Sequence, residues 1–416
     1  MVRRTTRNGG RVAGRAAAPG WLTWQTAAIA LAATLLAVAA TLVTLSLLRT
    51  RGNPAGAVAL WSRNSLALGE LAGNTVVPGA SATDLAKGRR AAVRALMIEP
   101  GNVDAARALG IAYGLQNRET AALKALTYGE AMSRRDLPTQ MALIEWRVQQ
   151  GDVVGALRHY DRALRTTRSI TILLSTMISA SADPAIRREV LKLLARRPPW
   201  RSAFLVQLID EQTPPDTVYG IVAALRLDPA NPYERQVLSA AIGKLVGQNR
   251  VADARRLISP ARAAVRNGDF EGDNPFPPLD WALVDDATLN AVIENGPGSY
   301  GRSLFLDARN GRSGVVASQW LSLMPGRYRL ALAFGDVTGD DLARPRLSLT
   351  CGGDGKQVLV TATLPRAPAD GRRGTLATFA VPAGCTAQRL DVALPASLDG
   401  PAPRPWLDNV TVTPAP

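Results

Sequence analysis

The chain has 416 residues, a net charge of +15, two cysteines and one histidine. So few thiols and imidazoles exclude ordinary Cys/His zinc sites, and His159 lies too far upstream to serve a Ser-His-Asp or Cys-His device in the C-terminal part. From Gly268 onward there are 13 Lys/Arg against 16 Asp/Glu, leaving 36 against 18 before it. That basic excess is scattered arginine without an arginine–aromatic stripe, so no nucleic-acid partner is expected and a solvated surface near anionic lipid headgroups accounts for it.

Residues 1–20 read as a disordered, basic cytoplasmic tail. Trp21–Leu48 follows with no charged residue. As a helix it would be about 42 Å long, against about 30 Å for a bilayer core, so 21–48 is expected to be a transmembrane helix. Arg3, Arg4, Arg7, Arg11 and Arg15 precede it without an acid, and only Arg49 and Arg51 follow. The positive-inside rule then keeps the N-terminus cytoplasmic, with Trp21 and Trp24 in the headgroup zone. A cleaved signal peptide is the rival reading. Its apolar region runs to about 15 residues and ends in an A-x-A-like site; this run is longer, and Leu47-Leu48-Arg49 is no such site. Ala28/Ala32 and Ala33/Ala37 are spaced for close helix approach, although an alanine-rich helix produces such spacings anyway.

Residues 49–65 read as a polar linker, and 66–267 as helical repeats. Ala95, Gly129 and Ala163 recur at a spacing of 34, as do Leu109 with Leu143 and Ala122 with Ala156. The run Leu109-Gly110-x2-Tyr113, then Ala122-x3-Leu126, resembles the tetratricopeptide pattern. Its small residues would sit where paired helices cross. Asn117, Gly151 and Asn249 would supply left-handed turn residues, with Pro100 and Pro229 between units. The large aromatic usual early in the first helix is replaced by Ala106 and Gln140. The stretch 196–204, with its Pro-Pro pair, breaks helix. His159 reads as an exposed or lightly packed residue of a helix face.

The composition changes at Asn267, and 268–416 reads as a β-sandwich. Expected strands are Trp281–Val284, Ser303–Leu306, Gly314–Leu323, Tyr328–Phe334, Arg346–Cys351, Val358–Thr363, Thr375–Val381, Arg389–Leu394 and Trp406–Val412. Residues 324–328, MPGRY, read as a tight turn between two of them. The fold class is thus multidomain: a transmembrane helix, an all-α tetratricopeptide-like solenoid, then an all-β jelly-roll sandwich.

The motifs NGDFEG at 267–272, QWLSLMPGRYRLAL at 319–332 and LDNVTV at 407–412 resemble jelly-roll carbohydrate-binding modules of the galactose-binding-like type. The whole layout resembles membrane-anchored tetratricopeptide proteins of Gram-negative envelopes, some associated with exopolysaccharide production. The resemblance implies a single pass through the bacterial inner membrane, with the bulk in the periplasm. It also implies a structural calcium between the first and last strands, matched here by Glu271 and Asp408, with Asp269 nearby and Asn409 where a second acid is common. In an oxidising periplasm Cys351 and Cys385 are expected to pair; two buried apolar thiols are the alternative.

No carboxylate pair stands out as glycosidase machinery, which needs two acids roughly 5 to 9.5 Å apart; Asp285-Asp286 and Asp340-Asp341 read as loop acids. In the run 319–323, alternation points Gln319, Leu321 and Leu323 to the core and Trp320 outward. Trp320 is then either covered by another part of the protein or a stacking platform for a sugar ring, with Arg329 one strand over as a hydrogen-bond donor. The expected function is non-enzymatic: a scaffold taking protein partners on the solenoid and polysaccharide on the sandwich. A carbohydrate-active enzyme, or a sandwich that binds only protein, is the alternative.

Overall fold

A computed structural model describes residues 20–167, 170–210, 212–258, 263–309, 311–352, 356–396 and 404–416. Most of the basic tail lies outside them. The chain forms two compact units, dividing after Thr167.

The first unit opens with α1, Gly20–Arg49. Among the described residues it is the one helix long and apolar enough to cross a membrane. Its apolar side chains face outward, including Leu31, Leu36 and Leu48. The hydroxyls of Thr34, Thr41 and Thr44 bond back to carbonyls one turn earlier at 2.8–2.9 Å, which satisfies them without water.

The expected linker is partly helical. Asn53 caps α2, Pro54–Leu60, and Asn64 caps α3, Ser65–Thr75. The remaining helices are α4 (Ala82–Ile98), α5 (Val103–Leu115), α6 (Glu119–Met132), α7 (Leu137–Gln149) and α8 (Val153–Thr166). Asn64, Asn102 and Asp136 cap α3, α5 and α7 through their side chains, satisfying backbone N–H groups that a helix start leaves orphaned. Ala95, Gly129 and Ala163 are buried on α4, α6 and α8. A Cβ at Gly110 would lie 2.6 Å from Leu126 Cγ, so α5 and α6 meet there as closely as backbone allows. Asn117 and Gly151 both take positive φ, at 56° and 68°, as their place between paired helices requires.

His159 is not exposed. It is buried, three residues after Ala156 and four before Ala163, which puts it on the apolar stripe of α8. Its Nδ1 lies 2.9 Å from Gln140 Oε1 and 3.3 Å from Glu130 Oε1, and Arg162 pairs with that same carboxylate.

The second unit begins with α9 (Thr171–Ala180), α10 (Pro184–Ala195), α11 (Arg201–Leu208), α12 (Pro215–Leu225), α13 (Pro232–Gly247) and α14 (Val251–Leu257). α10 stops before Arg197, which takes φ 50°, and the Pro-Pro pair after it cannot extend a helix. Asn249 turns the chain between α13 and α14 at φ 60°. Phe204, Leu208, Ile221 and Ile242 are fully buried. The buried Glu234 accepts from Arg201 at 2.9 Å and from Asp228 N at 2.8 Å, so its charge is paired rather than stranded.

The strands are β1 (Ala282–Leu283), β2 (Leu289–Asn295), β3 (Arg302–Ala308), β4 (Gly314–Leu321), β5 (Gly326–Gly335), β6 (Arg346–Cys351), β7 (Gln357–Thr363), β8 (Arg372–Val381), β9 (Gln388–Leu394) and β10 (Trp406–Pro414). They make two antiparallel five-stranded sheets, ordered β1-β4-β9-β6-β7 and β2-β3-β10-β5-β8. Leu321, Leu347, Leu349, Leu390 and Val392 of the first sheet and Leu304, Leu306, Leu330 and Leu407 of the second fill the space between them.

Two sequence expectations change here. β2 is an additional strand; its apolar alternation is interrupted by asparagines at 290 and 295. The MPGRY turn does not join paired strands. β4 pairs with β1 and β9, and β5 with β8 and β10, so the turn carries the chain from one sheet to the other. Leu321 and Leu323 before it and Leu330 after it all reach the shared core.

Candidate functional site

Alternation on β4 buries Gln319 and Leu321 and turns Ser318 and Trp320 to the outer face of the first sheet, where both are half-buried. The neighbouring strands continue the pattern. On β9, Leu390 and Val392 go inward and Arg389 and Asp391 outward. On β6, Leu347 and Leu349 go inward and Ser348 and Thr350 outward. The register aligns Trp320, Arg389 and Thr350 in one row and Ser318, Asp391 and Ser348 in the next.

This face combines an indole, a guanidinium, a carboxylate and three hydroxyls. Arg389 Nε pairs with Asp391 Oδ1 at 2.9 Å, and both atoms are buried without a further partner. Burial pushes the Asp391 carboxyl above its ordinary range, and Arg389 only partly offsets this. A half-buried apolar ring beside a half-buried guanidinium and the hydroxyls of Ser318 and Ser348 suits a polyhydroxylated ligand: the ring covers a sugar's C–H face and these polar groups take its hydroxyls.

Trp320 is fixed along its backbone. Its N–H donates to Pro278 O at 2.8 Å, and Arg255, at the end of α14, reaches its carbonyl at 3.4 Å. Burial, reinforced by Arg266, lowers the pKa of the Arg255 guanidinium. Beside Trp320, Gln319 clasps the entry segment: its amide accepts from Arg266 N and donates to Arg266 O, both at 2.8 Å. Arg266 pairs with the buried Asp280 at 2.6 Å, and Trp281 Nε1 donates to Asn267 O at 3.1 Å. Arg266, just before the N-G-D-F-E motif, thus braces the strand that presents Trp320.

Arg329 is not one strand over from Trp320. It points outward from β5, opposite Thr378 and Thr413, on the other sheet. The two side chains share no face. Arg389 and Asp391 take the place that sequence reasoning gave to Arg329; the signal was present in QRLDVAL, where charges alternate with core leucine and valine.

Glu271 is exposed and accepts from Arg302 N at 2.8 Å. Asp408 is fully buried. Its two oxygens accept from Asn409 N and Asn409 Nδ2, both at 2.6 Å, and burial raises its pKa, with Asp269 adding to the rise. Among the described residues no group of three His, Cys, Asp or Glu side chains gathers to hold a metal ion.

Cys351 and Cys385 form a disulfide with a Cα–Cα distance of 5.6 Å, tying the end of β6 to the turn before β9. The loop acids are bound locally: Asp286 accepts from the hydroxyl and N–H of Thr288, which hold its pKa down, Asp340 lies 3.4 Å from Arg366, and Asp341 pairs with Arg344.

No protein-family model matches the chain, and a search of curated proteins finds no match. Among solved structures it is similar to a module described under "CBM4 structure and function", at 18% identity over 36% of this chain and 99% of that one, with a TM-score of 0.28. It is similar to the xylan-binding domain from CBM 22 at 15% identity, covering 38% and 97% of the two chains with a TM-score of 0.25. It is also similar to the enzymatically active domain of bacteriophage CBA120 tailspike protein 4 at 14% identity, over 37% of this chain and 21% of that one, with a TM-score of 0.28. The last match spans about a fifth of the tailspike chain. At these scores the likenesses fix neither ligand nor activity.

Proposed function

We propose that this is a single-pass, membrane-anchored, non-enzymatic scaffold whose sandwich binds polysaccharide. α1 crosses the bacterial inner membrane with the N-terminus in the cytoplasm and the bulk in the periplasm. The paired helices act as a tetratricopeptide-like array that takes protein partners, in exopolysaccharide or envelope assembly. The observation that carries the glycan reading is the outward row of Trp320 and Arg389 beside Asp391 and its flanking serines.

The test is a screen of the full chain in detergent against a panel of bacterial glycans. Saturable binding of at least one glycan, weakened in Trp320→Ala, supports the reading. Cleavage of a bound glycan would move the chain to the carbohydrate-active enzymes. Binding of none, with a protein captured through the sandwich instead, would leave a protein-binding module. Sidedness is checked separately: a reporter active only in the periplasm, fused after Pro416, is expected to be active.

A further inference from the structure

The exit of α1 is not a free hinge. Ser46, three residues before its end, is fully buried. Its hydroxyl donates to Ala57 O at 2.7 Å and accepts from Asn64 Nδ2 at 2.9 Å, and the same amide donates to Thr50 Oγ1 at 3.1 Å. Asn64 also caps α3 through its Oδ1, which accepts from Ala67 N at 3.0 Å. Ser46 therefore ties the last turn of α1 to α2, and Asn64 ties the same turn to α3. From Trp24 to Ser46 the helix rises about 33 Å, close to the thickness of a bilayer core. With Trp24 at one boundary of a bilayer, the clasp would fall at the other, and α2 would lie in the headgroup layer.

That elbow carries Arg49 and Arg51 on the helix exit, and Trp61 and Arg63 in the turn the clasp holds against it. The three arginines are exposed and make no ion pair among the described residues. Unpaired guanidinium groups beside a half-buried tryptophan, fixed at that depth, complement phosphate-bearing lipid headgroups. We infer that the α1–α2–α3 elbow is a collar that binds anionic lipid headgroups, with Asn64 folding Arg63 back onto the bilayer beside Arg49 and Arg51. The inference rests on α1 spanning a membrane.

The full chain is reconstituted in nanodiscs of phosphatidylcholine with phosphatidylglycerol, and the lipids that stay bound after detergent extraction are quantified. Wild type is expected to retain phosphatidylglycerol above its share in the bilayer. Arg49→Gln and Arg63→Gln should each lower that preference, by up to about fivefold for a cation at the surface, and the triple Arg49→Gln/Arg51→Gln/Arg63→Gln should abolish it. Arg188→Gln/Arg235→Gln/Arg312→Gln, which removes the same charge elsewhere, should leave it intact. An unchanged preference in the triple variant overturns the collar. Loss in Arg49→Gln with none in Arg63→Gln overturns the elbow geometry. Salt extraction of wild type from membranes would instead remove the spanning reading, and the collar with it.

Discussion

His159 Nδ1 stands 2.9 Å from Gln140 Oε1, joining α8 to α7 through a pair of buried polar side chains. Burial lowers the pKa of the imidazole from 6.5, against the opposing pull of Glu130. The unfolded chain therefore binds more protons than the folded one just below pH 6.5, so stability falls as pH drops through that value. Melts between pH 7.5 and 5 should show this slope, and His159→Leu should flatten it. The same change strands Gln140 and is expected to cost about 1–3 kcal/mol at neutral pH.

Asp391 has the opposite sign. Its folded pKa is raised by burial, so between the ordinary carboxylate value and the raised one the folded chain binds more protons. Its contribution to stability declines as pH rises through that window and stays low above it. Asp391→Asn is expected to raise the melting temperature at pH 7 relative to wild type, with the difference shrinking toward pH 4. A glycan that uses the carboxylate should bind the variant more weakly, which separates affinity from stability at one residue.

The Cys351–Cys385 disulfide closes a loop of 34 residues in sequence separation. On the chain-entropy model such a closure stabilises by roughly 3 to 4 kcal/mol. Cys351→Ala/Cys385→Ala should lose about that much in urea unfolding, with the loss falling on the sandwich. Titration of two free thiols in natively exported protein would refute the pairing.

Calcium gives a further measurement. Asp408 and Glu271 both accept hydrogen bonds from nearby N–H groups, so chelation with EDTA is expected to leave the melting temperature unchanged. A rise of several degrees on adding calcium, lost in Asp408→Asn, would instead place an ion between the first and last strands.

These residues also mark what the sequence can convey. The span of α1 was legible because absence of charge over that length has few other uses. The buried small residues of α4, α6 and α8 were legible through their regular spacing. The burial of His159 follows from its position on the apolar stripe of α8, which outweighs its polarity. The partition of strands between sheets was not legible: alternation gives the face of each strand, but not its partners. Reading MPGRY as a turn within one sheet put Trp320 and Arg329 together, when that turn in fact separates them. A single acid in a strand, such as Asp391, looks solvated in the sequence until its neighbours bury it.

The separation of Trp320 from Arg329 gives the sharpest test of the proposed glycan surface. The two side chains project from different sheets, each on an outer face. A glycan stacked on Trp320 can reach Arg389 in the same row, but not Arg329. Trp320→Ala is expected to weaken binding by about 1 to 3 kcal/mol, the range of other aromatic stacking contacts. Because Trp320 is only half-buried, the melting temperature should move little. Arg389→Ala should weaken binding as well, and Arg329→Ala should leave it unchanged. If Arg329→Ala alone reduces affinity, the ligand lies on the second sheet. If Trp320→Ala collapses the melting temperature without a selective loss of binding, the indole serves as a packing residue and the face is closed to ligand. Isothermal titration and thermal melts on the same three variants of the full chain decide between these outcomes.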